Sequence, residues 1–459
     1  MGTQQTNLSV LMLPWLAHGH ISPFLELAKK LAKRNFHVYL CSTPINLSSI
    51  KERITEFENQ SLSIQTVELH LPSLPELPPK YHTTNGLPIH LNPTLDKAFE
   101  MASPSFYNIL KTLKPDLLIY DVAQAIKQWP AAVASTHNIP AVQFLTSSAA
   151  MCSYFSHLLS ATGVEYPFPA LYLRDFELAK IRRSDLKSST SDDDENDRGR
   201  PSLFTISNIM LVKSCSEIEK KYMDYFSAVT KRKIMPVGPL VQDSISKDEQ
   251  HLEVIEWLGK KHHSSSVFVS FGSEYFLSKE EMEEIAHGLE LSNVNFIWVI
   301  RFPLGDETMV EEALPEGYLE RVRDRGIIMK GWAPQAEILK HPSVGGFVSH
   351  CGWNSVVESI EFGVPIIAIP MQLDQPLNSR LVVEIGLGME VWRDDSGKLH
   401  REEVAKVLKD VVVGNKGEHM RRKAGELREN IRLKGDEEID GAVEELAQLC
   451  RKSKAYNDY

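Results

Sequence analysis

Gly345-Gly346-Phe347-Val348-Ser349-His350-Cys351-Gly352-Trp353-Asn354-Ser355 reads as a strand (345–349), a turn (350–352) and the start of a helix running to Phe362. Backbone amides at such a helix start point at an anion and are helped by the helix dipole. Asn354 and Ser355 add side-chain donors there, and His350 can add a third. Upstream lies Gly331-Trp332-Ala333-Pro334-Gln335, and downstream lie Glu358 and the pair Asp374-Gln375. An aromatic plate, an anion cradle and a carboxylate–amide pair within one short stretch are the parts needed to line up a base, a diphosphate and a sugar.

Working outward, strand-like and helix-like segments alternate along the whole chain. In the first half, strands are expected at 8–14, 36–42, 64–69, 116–120 and 141–145. Between the first two, Phe24, Leu25, Leu27, Ala28, Leu31 and Ala32 repeat at helical spacing, and Ser22 before Pro23 reads as the N-cap. Met235-Pro236-Val237-Gly238-Pro239 closes this half. Strands then resume at 266–270, 296–301, 326–330, 345–349 and 365–369, with an amphipathic helix at 279–291. Strands separated by helices imply parallel, doubly wound sheets. At 459 residues the chain is too long for one ordinary core. The expected organisation is an α/β chain with an N-terminal Rossmann-like domain (1–240), a linker (241–253), a second Rossmann-like domain (254–435) and a C-terminal helix (436–459) packing back on the first. The two domains are expected to face a cleft.

Composition narrows the function classes. A formal net charge of −11 argues against nucleic acid as a partner, so an anionic ligand must be met locally. The five cysteines, Cys41, Cys152, Cys215, Cys351 and Cys450, are scattered and lack CxxC spacing, which suits reduced thiols in a cytoplasmic protein. No apolar run is long enough to span a membrane. Met1-Gly2 with Thr6 fits the myristoylation pattern, but no polybasic segment follows to supply a second anchor. The acidic run within 184–201 has no apolar residue and reads as a surface loop rather than a metal site.

Ligands of open parallel sheets sit beyond the carboxyl ends of the strands. The loop Trp15-Leu16-Ala17-His18-Gly19-His20-Ile21-Ser22-Pro23 lies at one such end, with Gly19 read as a tight turn leaving His20 at the mouth of the helix. His20 is either a general base near neutral pH or a surface histidine. Asp121 ends another strand and is either a helix N-cap or the acid that orients an imidazole, the role of the aspartate in a Ser-His-Asp triad. No G-x-S-x-G elbow is present, so the base would act on a substrate hydroxyl directly. Phe271-Gly272-Ser273-Glu274 ends another strand and can meet a second phosphate. His18 reads as a pocket wall, since no third ligand accompanies it and His20 as a zinc pair. A nicotinamide oxidoreductase would need G-x-G-x-x-G with an acid about 20 residues on, and the glycines here lack that spacing. A binding protein without catalysis would keep the nucleotide residues but need neither His20 nor Asp121.

The stretch from Trp332 to Gln375 resembles the signature box of the nucleotide-sugar-dependent glycosyltransferases of plant secondary metabolism, and the resemblance extends over the whole chain. It implies a GT-B architecture and UDP-glucose as co-substrate, with no metal and no other cofactor. It implies that Trp332 stacks on uracil, that the Ala333 backbone pairs with the base edge, and that Gln335 and Glu358 bond the ribose. His350, Gly352, Asn354, Ser355 and Ser273 would serve the diphosphate. Trp353, Asp374 and Gln375 would hold the sugar, with Thr146 a further sugar contact. His20 looks like the family's base and Asp121 its partner, working with inversion at the sugar carbon. Glutamine at Gln375 goes with glucose donors in that family, histidine more often with galactose. Tyr81-His82-Thr83-Thr84-Asn85-Gly86-Leu87-Pro88 and the 271–276 loop resemble a subgroup that extends sugars already on a glycoside. Trp15, His18 and His82 are the acceptor-side residues this implies, in a monomer acting on a flavonoid or terpenoid glycoside. After Asp121 the subgroup reads Leu-Gln-Pro-Trp-Ala, whereas residues 122–130 here read Val-Ala-Gln-Ala-Ile-Lys-Gln-Trp-Pro, longer and rearranged.

Overall fold

The computed structural model describes residues 8–121, 129–160, 163–188, 208–242, 249–303 and 306–457. The Met1-Gly2 pattern, most of the 122–130 segment, the acidic run and part of the 241–253 linker lie outside these residues; the helix Glu249–Gly259 begins inside the span read as linker.

Two fully parallel sheets form the framework. The first holds β1 (Leu8–Leu13), β2 (Phe36–Ser42), β3 (Ile64–Glu68), β4 (Leu117–Asp121), β5 (Ala141–Leu145), β6 (Ile209–Val212) and β7 (Lys233–Pro236), in the order β3-β2-β1-β4-β5-β6-β7. The second holds β8 (Ser266–Ser270), β9 (Asn295–Ile300), β10 (Gly326–Lys330), β11 (Val344–Ser349), β12 (Ile366–Ala368) and β13 (Gly388–Glu390), in the order β10-β9-β8-β11-β12-β13. Two doubly wound sheets of this kind make the GT-B fold class. In each sheet the winding direction reverses once, between β1 and β4 in the first and between β8 and β11 in the second. The strand order therefore marks those two pairs of carboxyl ends as the ligand crevices.

By contacts the chain forms two compact units. One comprises residues 1–156, 192–240 and 434–459; the other comprises 157–191 and 241–433. In the first unit, Ile439, Ala442, Leu446 and Cys450 of the helix Glu437–Asn457 enter the core with Val10, Phe24 and Val38. Lys30–Asp436, Arg34–Asp440 and Lys233–Glu445 ion pairs fix its outer face. In the second unit, Val267, Val269, Trp298 and Val348 pack under the helices Lys279–Ser292 and Arg401–Val412. Residues 157–191 join this unit through Glu177, which pairs with Arg380.

The first helix corrects one sequence expectation. It spans His18–Ala32 with Ala17 as N-cap, so Ser22 does not cap it and Pro23 lies inside it. His20 and Ile21 donate to the Ala17 carbonyl, which starts the helix five residues early. Proline there is tolerated because only one i→i−4 donor is lost, near an end. Gly19 accordingly sits in helical backbone, not in a left-handed turn. The short strands β6, β7 and β13 were not expected from the sequence; each offers three or four residues, too few to establish a period.

Candidate active site

In the first unit, the β1/β4 crevice brings His20 and Asp121 together. His20 stands in the first turn after β1 and Asp121 is the last residue of β4. Their Nδ1 and Oδ2 atoms are 2.7 Å apart, with the carboxylate side chain 2% exposed and the imidazole 26% exposed. A buried carboxylate at Nδ1 favours the tautomer with the proton on that nitrogen, which leaves the basic lone pair on Nε2. Asp121 is itself oriented, since Oδ2 also accepts the Trp15 N–H at 3.2 Å. Thr146, read as a sugar contact, lies with Oγ1 2.9 Å from His20 Nδ1 and so flanks the base. Burial pushes the Glu219 carboxyl up to about 7, and its oxygens accept the Ala149 and Ala150 N–H groups, which anchors the helix that follows Thr146.

The residues expected on the acceptor side stand in different settings. The Trp15 ring is buried, edge-on to Phe99 at 5.3 Å, in an aromatic cluster with Trp129 and Phe106. Its backbone N–H is the group that touches the His20–Asp121 pair. His18 is the first residue of the His18–Ala32 helix. His82 is buried, its pKa lowered by that burial, and its Nε2 has no hydrogen-bond partner among the described residues. The His82 loop is tied to the His20 loop: the Thr84 N–H and the Thr83 hydroxyl both donate to the Leu16 carbonyl.

In the second unit, the β8/β11 crevice gathers residues expected at the donor. The helix Trp353–Phe362 begins at Gly352, and Val356 N–H to Gly352 C=O is its first full turn. The amides of Trp353, Asn354 and Ser355 are thus the first-turn donors that an anion can satisfy. The Trp353 ring and Ser355 are buried. His350 is gripped between two glycines. A Cβ on Gly272 would stand 2.7 Å from its ring, and one on Gly352 would stand 2.6 Å from its Nε2. Gly272 has φ +78° and turns the loop that carries Ser273. Burial pushes the imidazole down to about 4, so His350 is neutral at pH 7 and serves as a hydrogen-bonding group rather than a cation. Cys351, between His350 and Gly352, has φ +64°, a costly conformation for a side-chain-bearing residue.

Gln335 starts a helix and donates Nε2–H to the Glu358 carboxylate, so the two residues read as ribose contacts form one unit. The Ala333 carbonyl accepts the Gln335 N–H at 2.8 Å. Trp332 is 52% exposed. Gln375 Oε1 accepts the Met371 and Gln372 N–H groups, both at 3.0 Å, so its Nε2 is the group it can turn to a sugar. Two residues absent from the sequence reading complete the arrangement. Asn378 is fully buried and donates to both the Cys351 carbonyl and the Asp374 carboxylate, joining phosphate turn to sugar loop. Arg301 follows β9 and stacks over Trp332. Its place at a strand's carboxyl end was the available signal. Asn378 gave none, because a mid-helix amide one turn past Asp374 looks like any other. Among the described residues, no group of three His, Cys, Asp or Glu is placed to hold a metal ion. No helix among them is long and apolar enough to cross a membrane.

An imidazole–carboxylate pair at one switch point and, at the other, a helix start whose amides can meet an anion fit a nucleotide-sugar transferase of the GT-B class. The chain belongs to the UDP-glycosyltransferase family and is a hexosyltransferase. Its residues 222–423 match the family "UDP-glucoronosyl and UDP-glucosyl transferase", and residues 6–242 match "Glycosyltransferase, N-terminal domain". It is similar to the beta-D-glucosyl crocetin beta-1,6-glucosyltransferase of Gardenia jasminoides, 58% identical over 96% of this chain and 99% of that one. It is also similar to a mogroside IIIx synthase of Siraitia grosvenorii, 51% identical over 98% of this chain and 94% of that one. The fold matches that of a Glycyrrhiza uralensis enzyme solved with glycyrrhetinic acid 3-O-monoglucuronide, with TM-score 0.81 and 25% identity over 99% of this chain and 98% of the other. These likenesses make it a plant UDP-glycosyltransferase that resembles relatives named for extending glycosides.

Proposed function

We propose that this enzyme transfers glucose from UDP-glucose, with inversion and without a metal, to a sugar hydroxyl of a small-molecule plant glycoside, as a cytoplasmic monomer. The observation that carries the mechanism is the 2.7 Å contact between His20 and Asp121. His20 Nε2 takes the proton of the acceptor hydroxyl as its oxygen attacks the anomeric carbon. The bond from that carbon to the β-phosphate oxygen breaks, and UDP leaves with the electron pair. Asp121 stabilises the imidazolium that forms. Negative charge gathering on the diphosphate is met by the first-turn amides of Trp353, Asn354 and Ser355, a preorganised cradle of the kind that lowers barriers most. The unit that holds β1–β7 serves the acceptor and the unit that holds β8–β13 serves the donor.

Glucose as donor is supported by Gln375, whose amide donor faces a role at the sugar, and by the glucosyl transfer named for the Gardenia jasminoides relative. A sugar as acceptor is supported by the same name, which describes a glucosylated crocetin as the substrate. The test is a mass-spectrometric screen with UDP-glucose, pairing flavonoid, diterpene and triterpene aglycones with their monoglucosides. The expected product is a monoglucoside heavier by one hexose. Use of aglycones alone would overturn the sugar-extending assignment.

A further inference from the structure

Residues 157–191 precede the second sheet in sequence yet belong to the unit that contains it. Their anchor is a buried ion cluster. Arg380 Nη2 donates to both oxygens of Glu177 at 2.8 and 3.0 Å. Arg174 bridges Glu177 and Glu390, and Ser379 donates to the other Glu390 oxygen. Glu177, Arg380 and Glu390 are each 4% exposed. Such clusters are costly to assemble unless their hydrogen bonds are met; here both carboxylates are bonded, while Arg174 Nη1 and Arg380 Nε have no hydrogen-bond partner among the described residues. Arg380 also donates to the Pro376 carbonyl at 2.9 Å, in the first turn of the helix Gln375–Glu384.

One helical turn beyond Glu177, the ammonium of Lys180 donates to the Met371 carbonyl at 3.4 Å. Met371 is the residue whose N–H is accepted by Gln375, and its sulfur takes an N–H from Arg393 at 2.8 Å. Arg393 continues to Glu281, which accepts the Tyr275 hydroxyl at the end of the Ser273 loop. The peptide of Met371 is thus held on both sides, by Gln375 at its N–H and by Lys180 at its C=O. The ammonium of Lys180 is part-buried at this contact, with the Glu177 and Glu281 carboxylates and the Arg393 guanidinium near enough to act on its charge, and the Met371 carbonyl is the group to which it donates.

We propose that Lys180 is a positioning residue for the donor sugar: by holding the Met371 carbonyl it fixes the loop that presents Asp374 and Gln375. This rests on reading those two residues as the sugar contacts. The segment 157–191 then has a purpose in the second unit, as an arm clamped by Glu177 and Arg380 that delivers one cation to the sugar loop. A role confined to the loop separates sugar binding from nucleotide binding, which a general structural role does not.

The test is Lys180→Met in the full chain, with Lys180→Arg as the conservative variant. Steady-state kinetics would be run with UDP-glucose or, if the wild type ignores it, with the UDP-hexose it does use. That choice separates failure of the glucose assignment from failure of this one. For Lys180→Met, KM for the UDP-sugar should rise roughly fivefold, the effect of losing one hydrogen bond. Inhibition by UDP, KM for the acceptor and Tm should stay as in the wild type, and Lys180→Arg should restore most of the loss. An unchanged KM for the UDP-sugar would overturn the proposal. So would a parallel loss of UDP inhibition, which would mean that Lys180 serves the nucleotide or the fold at large.

Discussion

The guanidinium of Arg301 lies 4.6 Å from the centre of the Trp332 ring. An indole has two faces, and this one is already covered on one side by a cation whose Nε has no hydrogen-bond partner among the described residues. A uracil stacking on Trp332 takes the other face. Burial lowers the pKa of Arg301, yet a guanidinium stays charged throughout the working range. In a protein of net charge −11, such a cation favours an anionic nucleotide. Arg301→Met should weaken UDP binding by roughly three- to tenfold, the range of a partly buried cation–π contact. Titration calorimetry reads this directly, and unchanged UDP affinity would remove Arg301 from the nucleotide site.

Gly352 has ordinary helical-start backbone, so its replacement by alanine is a question of space alone. The added methyl would meet His350 Nε2 at 2.6 Å. Overpacking of this kind commonly shifts neighbours rather than unfolding the chain. Gly352→Ala should therefore lower UDP-sugar affinity by about tenfold or more, at a cost in Tm. Adding His350→Ala should recover the Tm, since the clash is with that ring. Lack of recovery in the double variant would place the damage elsewhere.

The neutral state of His350 has a pH signature. Its folded pKa, about 4, lies below the ordinary 6.5. The unfolded chain therefore binds a proton in the window between those values that the folded chain refuses. The stabilising effect is complete above 6.5 and is lost as pH falls towards 4. Melting curves at about pH 7 and about pH 5 should show a larger fall in Tm for the wild type than for His350→Asn. Equal falls would mean that the imidazole is not held neutral.

Gln375 is committed to the sugar loop through Oε1, which accepts two backbone amides, so the glucose preference should depend on its remaining amide donor. Gln375→His should lower turnover of UDP-glucose relative to UDP-galactose in a competition assay read by product mass. An unchanged ratio would withdraw the reason for naming glucose.

The fold was largely legible because buried parallel strands leave apolar runs, as in β8, whose expected bounds match the structure. The chemistry was legible where residue types gather in sequence, as between Trp332 and Gln375. It was hidden where function arises from distant pairing. Nothing near Glu177 announces Arg380, about two hundred residues later, and nothing in Asn378 announces the Cys351 carbonyl. The start of the first helix was misread for a local reason. Ser-Pro is a good helix opening in isolation, but Ala17 begins the turn earlier and draws His20 into the helix, where its ring meets Asp121.

The central claim is that His20 is the base. The most direct measurement is the turnover of His20→Ala with UDP-glucose and a monoglucoside acceptor, alongside its UDP affinity by calorimetry. Loss of a general base, by the usual scale, removes about a hundredfold to ten-thousandfold of the rate. The account predicts a fall of that size in kcat with UDP affinity unchanged, since His20 and the UDP residues belong to different units. Turnover close to that of the wild type would contradict it.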